Sequence, residues 1–239
     1  MVEQQTPASL AVIVPTLNEA ENVEPLVRQI MAHAPSCAEI IIVDDQSTDG
    51  TQDRVRALTA EFPVRLLERE NPTLGLAGAV IAGARAAQSE ILVVMDADLS
   101  HPPDEIGNLV APLLNGDADL VIGSRYIKGG TTPGWPLLRR IMSRAAGALA
   151  YPLTGVHDSM AGFFAIRRVH LLEVASTATG FKIAFELIVH GGRKLRVREI
   201  PIAFHDRERG VSKMNMRVAM LFGARWLAAL GRRVFSRAK

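Results

Sequence analysis

Five short runs rich in valine, isoleucine and leucine recur through the first half of the chain, and each ends on a polar or charged residue. They are LAVIVPT (10–16), EIIIVDD (39–45), VRLLER (64–69), EILVVMD (90–96) and ADLVIGSR (118–125). Segments of helical length lie between them: 19–34, 47–62, the small-residue stretch 75–87, and 103–116, which opens at a proline. Continuous apolar runs belong to strands covered on both faces, as in a parallel sheet. Their alternation with helices predicts right-handed βαβ units and an α/β fold with a mostly parallel central sheet. In such a sheet ligands gather outside the carboxyl ends of the strands. Asp44, Asp45, Asp96, Asp98 and Arg125 all fall there, so the fold reading is also a site prediction.

The second half is less regular. A Gly/Pro-rich loop (126–136) leads to a basic helix (137–153), a short strand (161–168), a helix (182–192), a strand (195–204) and a charged loop (205–213). No composition break divides residues 1–213, which read as one domain followed by a helical tail, 214–239. In that tail Met220, Trp226, Leu227, Leu230 and Val234 share one arc and Arg217, Arg225 and Arg232 another. A basic amphipathic helix of this kind suits a membrane interface, although a helix packed on the domain with exposed arginines fits the same pattern.

Charge is divided sharply. Residues 1–120 hold 6 Lys/Arg against 19 Asp/Glu, whereas residues 121–239 hold 21 against 6. The acidic half suits cations and the basic half suits phosphates or an anionic surface. Nucleic acid is disfavoured, because aromatics make up only 5% of the chain and supply no stacking platform. The single cysteine, Cys37, excludes an intrachain disulfide and fits a reducing cytosol. The first ten residues lack a secretory pattern, and no apolar run reaches about 18 residues. The expectation is a cytoplasmic protein held peripherally at the inner face of the membrane.

Individual motifs carry different weights. Asp96 and Asp98 sit at i and i+2, where an extended chain turns both carboxylates to one side and lets them hold Mg²⁺ or Mn²⁺; taken alone the spacing is a weak signal, and a strand end followed by a helix cap is the simpler local explanation. His101 follows five residues after Asp96 and is expected nearby. Asp44 and Asp45 can accept hydrogen bonds from a base or ribose, or simply close a polar turn with Ser47 or Asp49 capping the next helix. Glu19, in PTLNE, is placed at the start of the first helix, beside its positive end. Arg139 and Ser143, and likewise Arg140 and Arg144, share a helix face at i, i+4. Together with Arg125 and the loop residues Arg207, Arg209 and Lys213 they form basic clusters opposite an acidic edge, the arrangement that two phosphorylated ligands require.

Nine segments, in order from Leu10 to Lys213, resemble the dolichol-phosphate mannose synthases and their bacterial polyprenyl-phosphate relatives, family 2 glycosyltransferases with a GT-A fold: VPTLNE, IVDDQSTDGT, GLAGAV, VMDADLSHPPDEI, GSRYIKGG, WPLLRRIMSR, DSMAGFFAIRR, GFKIAFE and IPIAF…R…GVSK. The resemblance implies nucleotide-sugar contacts at Pro15, Leu17, Glu19, Val43, Asp45, Asp96, Ala97, Asp98, Ser100, Arg125, Lys182, Arg207 and Lys213. It implies Mg²⁺ or Mn²⁺ on Asp96 and Asp98, an acceptor phosphate at Arg139 and Ser143, and catalytic roles for Asp98, Arg139 and Lys213. The implied reaction moves mannose from GDP-mannose, with inversion, onto a polyprenyl or dolichyl monophosphate at a cytoplasmic membrane surface. Leu17 stands where many members have tyrosine, and Ala161 where a serine is common. UDP-glucose or UDP-N-acetylglucosamine as donor, with a lipid phosphate or glycan acceptor, remains an open alternative. A receiver-like signalling domain fits poorly, because the third run, VRLLER, ends without the aspartate such a domain would phosphorylate.

Overall fold

The computed structural model describes residues 9–206, apart from 35, 177 and 179–181. The first half follows the expected alternation: β1 (Leu10–Thr16), α1 (Val23–His33), β2 (Cys37–Asp44), α2 (Thr51–Leu58), β3 (Val64–Glu68), α3 (Gly75–Ala86), β4 (Ile91–Val94), α4 (Ile106–Leu114) and β5 (Leu120–Ser124). The second half adds α5 (Leu137–Thr154), β6 (Phe164–Arg167), α6 (Arg168–Ala175), α7 (Ile183–Gly191) and β7 (Val197–Pro201). Helix α6 was not expected from the sequence, although Leu171 and Val174, its two buried residues, stand at helical spacing.

These strands form one sheet in the order β3-β2-β1-β4-β6-β5-β7. All pairings are parallel except those of β6, which runs antiparallel between β4 and β5. Side chains alternate across each strand, so Val12 and Val14 join α1, α2 and α4 in one core, while Ala11 and Ile13 join α3, α6 and α7 in the other. Helix α3 approaches the sheet closely because it is built from small residues. A Cβ on Gly83 would lie 2.6 Å from Ile13 Cγ2, and only glycine allows that spacing.

Two consequences bear on function. The strand order reverses beside β1, which lies between β2 and β4, and a switch point of this kind opens a crevice at the carboxyl edge. Because β6 is antiparallel, the segment that enters it, residues 158–162, arrives at the same edge where β4 and β5 end.

Helix α5 buries only Gly147 and Ala150, and among the described residues Ala150 packs with Phe185 of α7. Leu137, Leu138, Ile141, Met142, Leu149 and Tyr151 are all exposed. A cavity of about 330 Å³ beside it is lined by Tyr126, Arg144, Gly147, Ala148, Tyr151 and His157. No helix among the described residues is long and apolar enough to cross a membrane.

Candidate active site

The carboxyl edge holds three groups of residues. The first surrounds the ends of β1, β2 and β3. Asp44 is fully buried and spends its carboxylate internally, accepting from Ser47 N at 2.9 Å, Gln52 Nε2 at 2.8 Å and Thr16 Oγ1 at 3.3 Å. Asp45 is instead paired with Arg69, whose Nη1 donates to both carboxylate oxygens at 2.8 and 3.1 Å. Burial raises the Asp45 carboxyl above its ordinary range, and the Arg69 charge works against that shift. Arg69 also donates to the carbonyls of Thr73 and Gly75, tying β3 to the start of α3. Sequence reading missed Arg69, although VRLLER places an arginine at the same strand-end edge.

Two helix-start expectations need correction. Helix α1 begins at Val23, so Glu19 is outside its first turn. The Glu19 carbonyl accepts from Asn22 N and Val23 N, its side chain accepts from Asn22 Nδ2 at 2.7 Å, and its N–H donates to Thr51 Oγ1. Gly50, not Ser47 or Asp49, occupies the cap position of α2, while Asp49 Oδ1 accepts from the Thr51 N–H and hydroxyl. Pro15 is half-buried in β1 and Leu17 exposed just beyond it. The Val43 side chain lies wholly in the core, so its main chain is what this residue presents to the edge.

The second group is the loop after β4. The strand was expected to reach Asp96 but stops at Val94, and Leu99 takes a left-handed φ of 60°. Strand alternation therefore does not orient the two aspartates; the loop does. Asp96 N donates to His101 Nδ1 at 3.0 Å, and Asp98 Oδ1 accepts from Ser100 N at 3.1 Å and Ser100 Oγ at 2.5 Å. Asp98, Ser100 and Ala97 are buried, whereas the Asp96 side chain is 29% exposed. Leu99 packs against the core and anchors the turn.

His101 is the buttress of this loop. Its ring stacks on Phe163 at 5.2 Å and meets Phe204 edge-on at 5.1 Å. Burial lowers its basicity, opposed by the Asp96 and Asp98 charges. With Nδ1 accepting, the neutral ring carries its proton on Nε2, which lies 4.0 Å from Asp96 Oδ2. Gly162 makes the room: a Cβ there would lie 3.0 Å from Asp96 Oδ2. No group of three or more His, Cys, Asp or Glu among the described residues is arranged to hold a metal ion. The carboxylates of Asp96 and Asp98 are hard-oxygen donors in one loop, a ligand chemistry suited to a divalent cation.

The third group is basic and aromatic. Arg125, at the end of β5, donates from Nε and Nη2 to the two oxygens of the buried Asp158, both at 2.7 Å. Its guanidinium centre lies 5.0 Å from the Tyr126 ring, 5.3 Å from Phe204 and 5.5 Å from Trp135. Asp158 is itself held by Glu199, which accepts from the N–H groups of His157 and Asp158. Arg139 lies over Trp135 at 3.8 Å and donates to Asp206 Oδ1 at 2.8 Å. Ser143 Oγ is hydrogen-bonded to the Tyr126 hydroxyl. Lys182 is exposed at the start of α7, and its charge, like that of Arg125, bears on His101. Arg207, Lys213 and the tail 214–239 lie outside the described residues. Trp135, Gly162, Phe204 and Asp206 were not singled out from sequence, since packing alone reveals them.

The edge thus unites an acidic loop and an arginine–aromatic cluster on a doubly wound sheet, the architecture of a GT-A glycosyltransferase. Fold similarity agrees. Glucosyl-3-phosphoglycerate synthase from Mycobacterium tuberculosis, in a crystal structure with Mn²⁺, UDP-glucose and phosphoglyceric acid, superposes with a TM-score of 0.70 at 21% identity over 94% of this chain and 80% of that one. The profile of Glycosyl transferase family 2 matches residues 11–174. The chain belongs to that family. It is 40% identical to a dolichol-phosphate mannosyltransferase of Pyrococcus furiosus over 211 residues, 86% of this chain and 59% of that protein. It is also 39% identical to a polyprenol monophosphomannose synthase of Mycolicibacterium smegmatis, over 90% of this chain and 85% of the relative. The chain therefore spans less than two thirds of the Pyrococcus protein.

Proposed function

We propose that the chain transfers mannose from GDP-mannose, with inversion, to the phosphate of a polyprenyl monophosphate. The observation that carries this reading is the juxtaposition, through His101 and Phe204, of the Asp96–Asp98 loop with Arg125, Trp135 and Arg139, the last of these on a helix with exposed apolar side chains. One edge thereby offers a place for a diphosphate, a place for a monophosphate, and a surface for a hydrocarbon chain. Identity to mannosyltransferases of lipid phosphates supports the sugar and the acceptor.

The chemistry needs little from side chains. A phosphate monoester has a second pKa of about 6 and is mostly dianionic at neutral pH. Its oxygen attacks the anomeric carbon from the face opposite the leaving group; the carbon–oxygen bond to GDP breaks and GDP departs with the electron pair. No general base is required, and Asp158, committed to Arg125 through both oxygens, anchors rather than abstracts. Arg139, with Ser143, would receive the acceptor phosphate, and Arg125 would counter the charge of the donor. Asp96 and Asp98 would hold Mg²⁺ or Mn²⁺, which supplies positive charge for the leaving diphosphate. Bringing two anions together is the principal catalytic task. Arg207 and Lys213 are assigned to the donor side on family resemblance.

The exposed leucines, isoleucine and methionine of α5, flanked by Arg140 and Arg144, fit the headgroup region of an anionic membrane. The tail 214–239 is proposed as a second contact of the same kind. The direct test incubates the chain with Mg²⁺, membranes and a panel of labelled nucleotide sugars. Label from GDP-mannose should enter an acid-labile, organic-soluble product, and Asp98→Ala or EDTA should abolish it. Entry from a UDP-sugar alone would replace the donor assignment.

A further inference from the structure

We infer that Asp206 is an internal stand-in for the acceptor phosphate: its carboxylate holds Arg139, and the incoming phosphate displaces it. The inference rests on the reading of Arg139 as a phosphate-binding residue, and extends it to a competing residue within the chain. Two arginines approach Trp135, and they are held very differently. Arg125 forms two parallel hydrogen bonds to a carboxylate that is 1% exposed, a pair that cannot exchange its partner without stranding a buried charge. Among the described residues Arg139 makes one hydrogen bond, to Asp206 Oδ1 at 2.8 Å, in a pair whose side chains are 32% and 47% exposed. Exposed pairs of this kind add little stability and are readily replaced.

The rest of the geometry prepares the exchange. The indole face of Trp135, 3.8 Å from the Arg139 guanidinium, keeps that group flat whichever anion it carries. A phosphate dianion brings nearly twice the charge of a carboxylate and suits the bidentate fork of arginine. Trp135 Nε1 is buried and has no hydrogen-bond partner among the described residues, a condition that native sites normally relieve with a ligand or water. Asp206 also follows two anchored residues: Phe204 N donates to Thr131 O at 3.0 Å and His205 N donates to Ser100 O at 3.1 Å. Its carboxylate is thus presented to Arg139 by a backbone that is itself tied to the Asp96–Asp98 loop.

The sign of the effect makes the test decisive, because removing Asp206 should tighten binding, whereas a damaged fold would weaken it. Calorimetric titration of the whole chain with inorganic phosphate should show Asp206→Asn binding about three- to tenfold more tightly, with Asp206→Glu near wild type. The gain should vanish in an Arg139→Ala background. With GDP-mannose as donor and farnesyl phosphate as acceptor, the same variant should lower the acceptor KM by a similar factor. Unchanged or weaker phosphate binding in Asp206→Asn, or a gain that survives Arg139→Ala, would overturn the inference. If the wild-type chain transfers no sugar, the transferase reading fails by itself, and the calorimetry still decides the role of Asp206.

Discussion

Gly162 lies directly against the Asp96 carboxylate: a Cβ at this glycine would be 3.0 Å from Asp96 Oδ2 and 3.2 Å from His101 Cε1. The glycine precedes β6, and the antiparallel course of that strand brings it to the end of β4. Gly162→Ala should therefore push Asp96 off its position. Relief of this contact needs a shift well short of the ~1 Å that costs about a hundredfold in rate, so transfer should fall by up to about tenfold while the melting temperature moves only a few degrees. Wild-type rates in this variant would show that Asp96 does not need its present position.

Asp158 offers a separation of anchor from base. Asp158→Asn keeps the shape but leaves the Arg125 charge buried without a counter-charge, a change that costs about 3–5 kcal/mol when a buried pair is broken. Urea unfolding should register a loss of this size, together with lost activity. A variant as stable as wild type but inactive would instead point to a proton-transfer role.

Acid stability should report the pair at the base of β5. Arg196 donates to both oxygens of Asp119 at 3.0 and 2.8 Å, and these hydrogen bonds pull the Asp119 carboxyl down to about 2. An unfolded aspartate titrates near 3.9, so the folded state binds fewer protons. The stabilisation is complete above about pH 4 and disappears as pH falls toward 2. Since Arg196 is 57% exposed, water screens the pair, and Asp119→Asn should cost about 1 kcal/mol at pH 7. Measured by denaturant unfolding from pH 7 to 2, the difference between variant and wild type should close at the acid end; a constant difference would mean that packing, not charge, is lost.

Helix α5 can be tested without touching the arginines. Replacing Leu138, Ile141 and Met142 with asparagine removes apolar side chains that are 56–69% exposed, so folding stability should change by less than about 1 kcal/mol. Binding to vesicles containing anionic lipid should drop at least about tenfold, given the transfer free energy of buried aliphatic side chains. Unaltered vesicle binding would assign the membrane contact elsewhere, with the tail 214–239 the next segment to delete.

Much of the architecture could be read from sequence, because continuous apolar runs such as EIIIVDD and LAVIVPT have few alternatives to a doubly covered parallel strand. The carboxyl edge, and with it Asp45, Asp96, Asp98 and Arg125, followed from the strand–helix alternation and the rule that ligands gather outside the carboxyl ends of the strands. Local boundaries were less legible. Glu19 was drawn into a helix that starts at Val23, since acidic residues favour first turns generally, whereas here Glu19 closes a turn onto Asn22 and donates its N–H to the distant Thr51 hydroxyl.

What the sequence by itself determined is the periodicity, and hence the sheet, its two apolar cores and the chemical character of its edge. Tertiary structure alone decided which partner each charged residue takes. Asp44 and Asp45 are neighbours in sequence, yet one is consumed by Ser47 and Gln52 and the other reaches Arg69. Arg125 is locked to Asp158 and Arg139 rests exchangeably on Asp206, separations of 33 and 67 residues that no local pattern encodes. The antiparallel insertion of β6 is the physical reason for much of this. It carries Asp158 and Gly162 to the edge where β4 and β5 deliver Asp96 and Arg125, and so turns a row of strand ends into a site.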